Sequence, residues 1–173
     1  LVRVRMGLRV IDLGCGTGEL TRKLADALPD SDVVGLDSSV QMLEKTAQYA
    51  RPGLRFEQGD QAQLNGEWDL ILSNAALQWS ENHASLIPAL FAHLKPGGQM
   101  VIQMPSNHDH ISHRKIVEVA GREPFRSALN GWTRQSPVLP IEAYAELLFQ
   151  QQAEQVLVFE KVYPHVLENA DAI

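Results

Sequence analysis

Two hydrophobic periods alternate along the chain. Arg9-Val-Ile-Asp-Leu13 is a short, nearly continuous apolar run that breaks at Gly14, the pattern of a strand buried on both faces. Over residues 17–28, Leu20, Leu24, Ala27 and Leu28 recur at helical spacing until Pro29 ends the segment, which predicts a helix. Asp32-Val-Val-Gly-Leu-Asp37 reads as a second strand, and Ser38 or Ser39 can cap a following helix whose apolar face is Val40, Leu43 and Ala47. Residues 54–57 form a weak third strand and residues 68–74 a buried fourth. A helix over 82–94 follows, with Pro88 as a kink, then a turn at Lys95-Pro-Gly-Gly98 and a fifth strand over 99–104 stopped by Pro105.

Strands alternating with helices through short loops predict an α/β fold, a doubly wound and mainly parallel sheet covered on both faces. The pattern changes after Pro105. Residues 106–136 hold three of the six histidines, five Lys or Arg and only three acids. This stretch is too short to build its own core, so it reads as a basic helical insertion or cap beside the sheet. Residues 140–151 resume a helix with Ile141, Tyr144, Leu147 and Leu148 on one side, and residues 156–162 alternate as a sixth strand. The expected organisation is one domain over 1–173: a core at 9–105, the insertion at 106–136, and a last helix and strand at 137–173.

Composition narrows the function. The 173 residues are 45% hydrophobic and 21% charged, ordinary globular usage. A formal charge of −6 argues against a general nucleic-acid or anionic-membrane binder, since both need a cationic face. The single cysteine, Cys15, excludes an intrachain disulfide and a multi-cysteine zinc site. No apolar run approaches the ~18 residues that a membrane-spanning helix needs, and the Leu1-Val-Arg-Val-Arg5 start carries no signal-peptide pattern. A cytoplasmic domain is expected.

The sharpest constellation is Asp12-Leu-Gly-Cys-Gly-Thr-Gly18. Glycines at a strand-to-helix turn let a ligand approach the backbone without meeting a Cβ, although a tight turn without ligand uses the same residues. The spacing is G-x-G-x-G, whereas the dinucleotide fingerprint is G-x-G-x-x-G. Asp37, closing the second strand, falls at the carboxyl edge of such a sheet beside the glycine loop. There its carboxylate can accept both hydroxyls of a ribose, though an Asp before Ser-Ser also suits a helix cap. Asp60, in Gly59-Asp-Gln61, can accept the exocyclic amine of an adenine while the Gln61 amide donates to the ring; a solvated turn is the alternative.

Taken in order, Asp12-Leu-Gly-Cys-Gly-Thr-Gly18, Asp37, Gly59-Asp60, Asp69-Leu-Ile-Leu-Ser-Asn74 and Leu94-Lys-Pro-Gly-Gly98 resemble the successive motifs of class I S-adenosylmethionine-dependent methyltransferases, and they cover residues 9–104. Ser73-Asn-Ala-Ala-Leu-Gln-Trp79 and Gln103-Met-Pro-Ser-Asn107 further resemble the subfamily that esterifies trans-aconitate, and His113, Glu118-Val-Ala120 and Pro124-Phe125 continue that likeness. The first of these stretches is shared in part with the enzymes that methylate the malonyl thioester of biotin synthesis. The resemblance implies a Rossmann-like sheet and S-adenosyl-L-methionine as cofactor, with S-adenosyl-L-homocysteine as product. It places Gly14 and Gly16 under the methionine part of the cofactor and Asp12 toward its amino group. Asp37, with Ser38 beside it, would lie at the ribose, Asp60 and Gln61 at the adenine, and the Asn74 backbone in the methionine pocket. Gln78 and Trp79 would wall the methyl group and substrate. Members of the family also have an initial helix and a seventh, antiparallel strand between strands five and six, so the fold is expected to be incomplete at both ends.

Methyl ester formation on a carboxylate needs no general base, because the nucleophile is already ionised and the sulfonium is a good leaving group. It needs positioning and desolvation. No catalytic side chain is therefore assigned. A polycarboxylate does need cations, and Arg114, Arg122, Arg126 and Arg134 are the candidates, with Asn107 after the fifth strand and His108, His110 and His113 as weaker ones. His108-Asp-His110 and His113 also invite a metal reading, against which stand the absence of HExxH and a chemistry that needs no metal. A nicotinamide-dependent oxidoreductase and a non-catalytic S-adenosylmethionine sensor remain alternatives. A nucleic-acid substrate is disfavoured by charge and by Ser73-Asn-Ala-Ala76, which stands where nucleic-acid methyltransferases carry Asn/Asp-Pro-Pro-aromatic.

Overall fold

The computed structural model describes residues 2–164, 166 and 169. Five parallel strands form one sheet: β1 (Arg9–Leu13), β2 (Asp32–Asp37), β3 (Leu54–Gln58), β4 (Trp68–Asn74) and β5 (Leu94–Gln103), in the spatial order β3-β2-β1-β4-β5. β1 pairs on one side with β2, Val10 beside Val33, and on the other with β4, Val10 beside Leu70. The order of connection reverses between β1 and β4, so a crevice opens at the carboxyl ends of these two strands. The apolar runs occupy the middle of the sheet because both of its faces are covered. Val10, Leu13, Val33 and Leu70 are fully buried, and Leu8, Leu28 and Leu54 complete this core.

The helices are α1 (Glu19–Ala27), α2 (Val40–Leu43), α3 (His83–Phe91), α4 (Ile111–Ala120), α5 (Phe125–Ala128) and α6 (Ile141–Gln150). α1 starts later than the expected residue 17, because Gly18 sits in the left-handed region as its N-cap. Its inward face also differs from the expected one. Leu20 is exposed, while Thr21 is fully buried and Leu24 and Ala25 pack against the core. Ser39 is the residue that caps α2, its hydroxyl accepting the N–H of Met42 at 3.3 Å. α2 gives way to a short 3-10 turn over Glu44–Thr46. Pro88 is accommodated within α3, which ends at Phe91 rather than continuing to residue 94.

Two further expectations are corrected. Lys95-Pro-Gly-Gly98 does not precede β5 but interrupts it. Trp68 pairs with Leu94 and Leu70 with Gln99, so the four residues between bulge out of the ladder while the strand continues on either side. Residues 156–162 form no strand, because no neighbouring strand pairs with them among the described residues. Alternation marks residues fit for a ladder, but only a partner makes one.

The chain divides into two compact units, residues 1–138 and 139–173. The first holds the sheet and α1 to α5. In the second, the Tyr144 hydroxyl accepts the N–H of Leu139 at 3.0 Å, ahead of and within α6. Among the described residues no helix is long and apolar enough to cross a membrane.

Candidate functional site

The crevice at the carboxyl edge holds a cavity of about 440 Å³ lined by Asp12, Gly14, Cys15, Gly16, Thr17, Glu19, Leu20, Lys23 and Asn74. Its floor is the loop from β1 to α1. The N–H groups of Gly14 and Cys15 both donate to the Leu36 carbonyl, at 2.7 and 3.0 Å, which ties the loop to the end of β2. Gly14 has φ +73° and packs against Ala76, whose Cβ would stand 2.1 Å from any Cβ placed there. Gly16 has φ +56°, and nothing lies within 4 Å of where its Cβ would be. One glycine is required by close packing and the other leaves an open approach to the backbone.

Two carboxylates frame this loop. Asp12, on β1, is 2% exposed and accepts the Thr21 hydroxyl at 2.6 Å. Burial pushes its pKa up to about 6 against the opposing Thr21 hydrogen bond, and the nearby Asp37 carboxylate adds to the rise. Asp37 accepts the Gly16 N–H on Oδ2 and the Ser39 N–H on Oδ1, both at 2.8 Å. Each of its oxygens keeps a lone pair for a further donor. Cys15 is no nucleophile here: burial, then Asp12 and Asp37, push its thiol up to about 12.

Beside this frame the chain after β3 and the chain after β4 meet. Asp60 caps a 3-10 turn over Gln61–Gln63, its Oδ1 accepting the Ala62 N–H at 2.8 Å. The Gln61 amide donates to the Ser80 hydroxyl at 2.6 Å, while its Oε1 is buried without a partner among the described residues. After β4, Ala75 has φ +53° and donates its N–H to the Gln103 carbonyl at 2.8 Å. A 3-10 turn over Leu77–Trp79 then carries Gln78 and Trp79. The Gln78 amide donates to the Ala75 carbonyl at 2.7 Å, which holds this bend. Arg134, far along the chain, lies over the Trp79 ring with Cζ 4.0 Å from its centroid, and its Nη2 donates to the Gln78 carbonyl at 3.1 Å.

A family model described as "Methyltransferase domain" matches residues 5–146. The chain is 47% identical to trans-aconitate 2-methyltransferase of Deinococcus radiodurans, over 100% of this chain and 69% of that protein. It is 39% identical to the enzyme of the same name from Azoarcus sp., over 95% of this chain and 64% of that protein. The chain belongs to the trans-aconitate 2-methyltransferase family. Among solved structures, an S-adenosylmethionine dependent methyltransferase from Mesorhizobium loti is 33% identical with a TM-score of 0.54, over 60% of this chain and 49% of that one. Phosphoethanolamine N-methyltransferase 2 of Haemonchus contortus shares the fold, with 22% identity and a TM-score of 0.64, over 86% of this chain and 33% of that one.

In this methyltransferase domain the residues singled out from sequence separate into three groups. Asp12, Gly14, Gly16 and Asn74 line the cavity, and Asp37 is bonded to its loop. Asp60, Gln61, Gln78, Trp79 and Arg134 gather on the turns after β3 and β4. Ser38 is exposed, and its carbonyl accepts the Gln58 amide at 3.3 Å. Asn107 uses its carbonyl to start the turn into α4, accepting the His110 N–H at 3.0 Å. Arg122 is paired with Glu118 on α4. Arg114 and Arg126 are exposed, and their guanidinium groups make no hydrogen bond or ion pair among the described residues. His108 Nε2 stands 3.5 Å from Asp109 Oδ2, and His110 caps α4 through Ser112. Among the described residues no cluster of three His, Cys, Asp or Glu is placed to hold a metal ion.

Sequence reading missed Thr21 and Ala76. Thr21 lies at helical spacing from Leu24, Ala25 and Leu28, which is the signal that it faces inward. Ala76 is small because Gly14 packs on it, a requirement that no local pattern reveals.

Proposed function

We propose that this chain binds S-adenosylmethionine and directs its methyl group to a carboxylate of trans-aconitate, forming the methyl ester and S-adenosylhomocysteine. The observation that carries this reading is the 47% identity to a trans-aconitate 2-methyltransferase over the whole chain. The chain spans 64% to 69% of the length of the curated relatives compared above. The cavity supports the cofactor assignment: open space above Gly16, a half-buried carboxylate at Asp37 with lone pairs to spare, and a buried one at Asp12.

When bound, S-adenosylmethionine supplies a methyl group activated on a cationic sulfur. In this proposal Asp12, ionised above about pH 6, attracts the cofactor's amino group. Asp37 accepts the ribose hydroxyls on the side of its oxygens not used by Gly16 and Ser39. The Oδ2 of Asp60 and the backbone at Gln61 meet the adenine. The Asn74 backbone closes the methionine end, and Gln78 and Trp79 wall the substrate side. No residue moves a proton, because the attacking carboxylate is already ionised. The chain's contribution is to align that oxygen and exclude water from it. A cytoplasmic location belongs to the same proposal.

Calorimetric titration of the chain with S-adenosylhomocysteine, with NAD in parallel, tests the cofactor. Binding of the first alone is expected. Methyl-transfer assays with trans-aconitate and with a malonyl thioester then test the acceptor. Turnover of the thioester alone would overturn the substrate assignment, and NAD binding alone would overturn the whole reading.

A further inference from the structure

We infer that Arg134 is the residue that binds the substrate's carboxylates, with Trp79 and the Gln78 carbonyl holding its guanidinium in place. This rests on the polycarboxylate reading above and selects one of four arginines that sequence leaves equivalent.

The cavity presents Asp12 and Glu19, and its one lining cation, Lys23, is spent on Glu19 at 2.7 Å. The chain as a whole carries −6. An anionic acceptor brought beside these carboxylates needs a compensating cation on the neighbouring wall. The turn after β4 has one, because Arg134 lies on Trp79 at 4.0 Å.

Geometry decides among the arginines. A guanidinium held over an aromatic ring still has N–H donors to offer a carboxylate, which it can match bidentately. Nη2 of Arg134 gives one N–H to the Gln78 carbonyl, and its other N–H groups have no partner among the described residues. The ring and the carbonyl together anchor the guanidinium before any ligand arrives, so less side-chain entropy is lost on binding. Arg122 is committed to Glu118, and the guanidinium groups of Arg114 and Arg126 make no hydrogen bond or ion pair among the described residues. Gln78 is held in turn by the hydrogen bond its side-chain amide donates to the Ala75 carbonyl, on the segment whose Ala76 packs on Gly14. The fork is thereby connected through two short turns to the glycine loop itself.

The test is steady-state kinetics of Arg134→Gln, Arg134→Lys and Trp79→Leu with trans-aconitate and with a dicarboxylate analogue, alongside calorimetric binding of S-adenosylhomocysteine. Turnover of trans-aconitate by the wild type must be shown first, and its absence would sink the substrate reading rather than this inference. Given turnover, Arg134→Gln is expected to raise KM for the tricarboxylate by about tenfold or more. KM for the dicarboxylate should rise less, so that discrimination between the two narrows. Arg134→Lys should recover part of the loss, because it keeps the charge without the fork. Affinity for S-adenosylhomocysteine should stay within about twofold, since the guanidinium makes no hydrogen bond or ion pair to the cavity loop among the described residues. An unchanged KM in Arg134→Gln would overturn the inference. So would a loss seen equally in cofactor affinity, which would mean that Arg134 only pins the turn, or a KM effect found instead in Arg114→Gln, Arg122→Gln or Arg126→Gln.

Discussion

Asp37 Oδ2 accepts the backbone N–H of Gly16 at 2.8 Å, joining the end of β2 to the middle of the glycine loop. One carboxylate therefore shapes the loop that floors the cavity and, in the proposed reading, also meets the ligand. Replacing it should register in both roles. Asp37→Ala is expected to weaken S-adenosylhomocysteine binding by about tenfold or more and to cost about 1–3 kcal/mol of stability through the freed Gly16 and Ser39 N–H groups. Asp37→Asn, which keeps one acceptor oxygen, should fall between. Calorimetry and denaturant titration on the same samples separate the two effects, and unchanged affinity in Asp37→Ala would remove this residue from the site.

Gly14 and Gly16 should fail in different ways. A methyl group at Gly14 would sit 2.1 Å from the Ala76 Cβ at φ +73°, so Gly14→Ala is expected to destabilise the fold by about 3 kcal/mol or more. Ala76→Gly in the same chain should restore a part of that, since it removes the colliding atom but not the backbone strain. At Gly16 the space is open, so Gly16→Ala should cost only about 1–2 kcal/mol of stability. Its methyl would instead project into the open approach, and ligand affinity should carry the main loss. Equal destabilisation by the two substitutions would contradict the distinction.

The raised pKa of Asp12 makes stability depend on pH, with a definite sign. Its folded value of about 6 stands above the ordinary 3.8, so the unfolded state gives up its proton first as pH rises. The protonated carboxyl is the form the interior tolerates. That contribution is full below about pH 4 and is lost as pH climbs through about 6, a swing of about 3 kcal/mol. Asp12→Asn, which cannot ionise, should lack this slope and gain on the wild type between about pH 4 and pH 7 in thermal unfolding. Ligand binding should run the other way. Affinity for S-adenosylhomocysteine should rise through about pH 6 in the wild type, as the carboxylate forms opposite its ammonium group, and stay flat there in Asp12→Asn.

Thr21→Val tests the hydroxyl that supports Asp12. The substitution keeps the shape of a fully buried side chain and removes only the 2.6 Å donor. It should cost about 1–3 kcal/mol at neutral pH and less in acid, where the carboxyl is protonated. In Asp12→Asn the same change should cost less at neutral pH. A double-mutant cycle with no coupling would show that this hydrogen bond contributes nothing to the site.

The sheet was readable where its chemistry is local. Arg9–Leu13, Asp32–Asp37 and Trp68–Asn74 are apolar runs ended by a glycine, a serine pair or a bend, and the structure starts and stops each strand there. Residues 156–162 misled because alternation describes a strand's side chains and says nothing about its partner. The inward face of α1 misled because Leu20 is the more apolar residue, whereas Thr21 is the one buried, beside a buried carboxylate. Of the site, the glycine spacing and Asp37 could be found from sequence because both sit at strand ends, where the α/β connection itself directs them to one edge.

What the chain's own pattern determined, then, is the parallel sheet, the loop that opens after its first strand and the family to which these motifs belong. Periodicity and turn chemistry act between residues a few positions apart, and such forces are the same before and after folding. Tertiary structure alone decided that Gly14 must pack on Ala76, that Thr21 holds Asp12, and that Arg134 rather than three other arginines reaches Gln78 across 56 residues of chain. Those contacts depend on where the strand order reverses and which turns it brings together, and no short-range pattern encodes a distance through space.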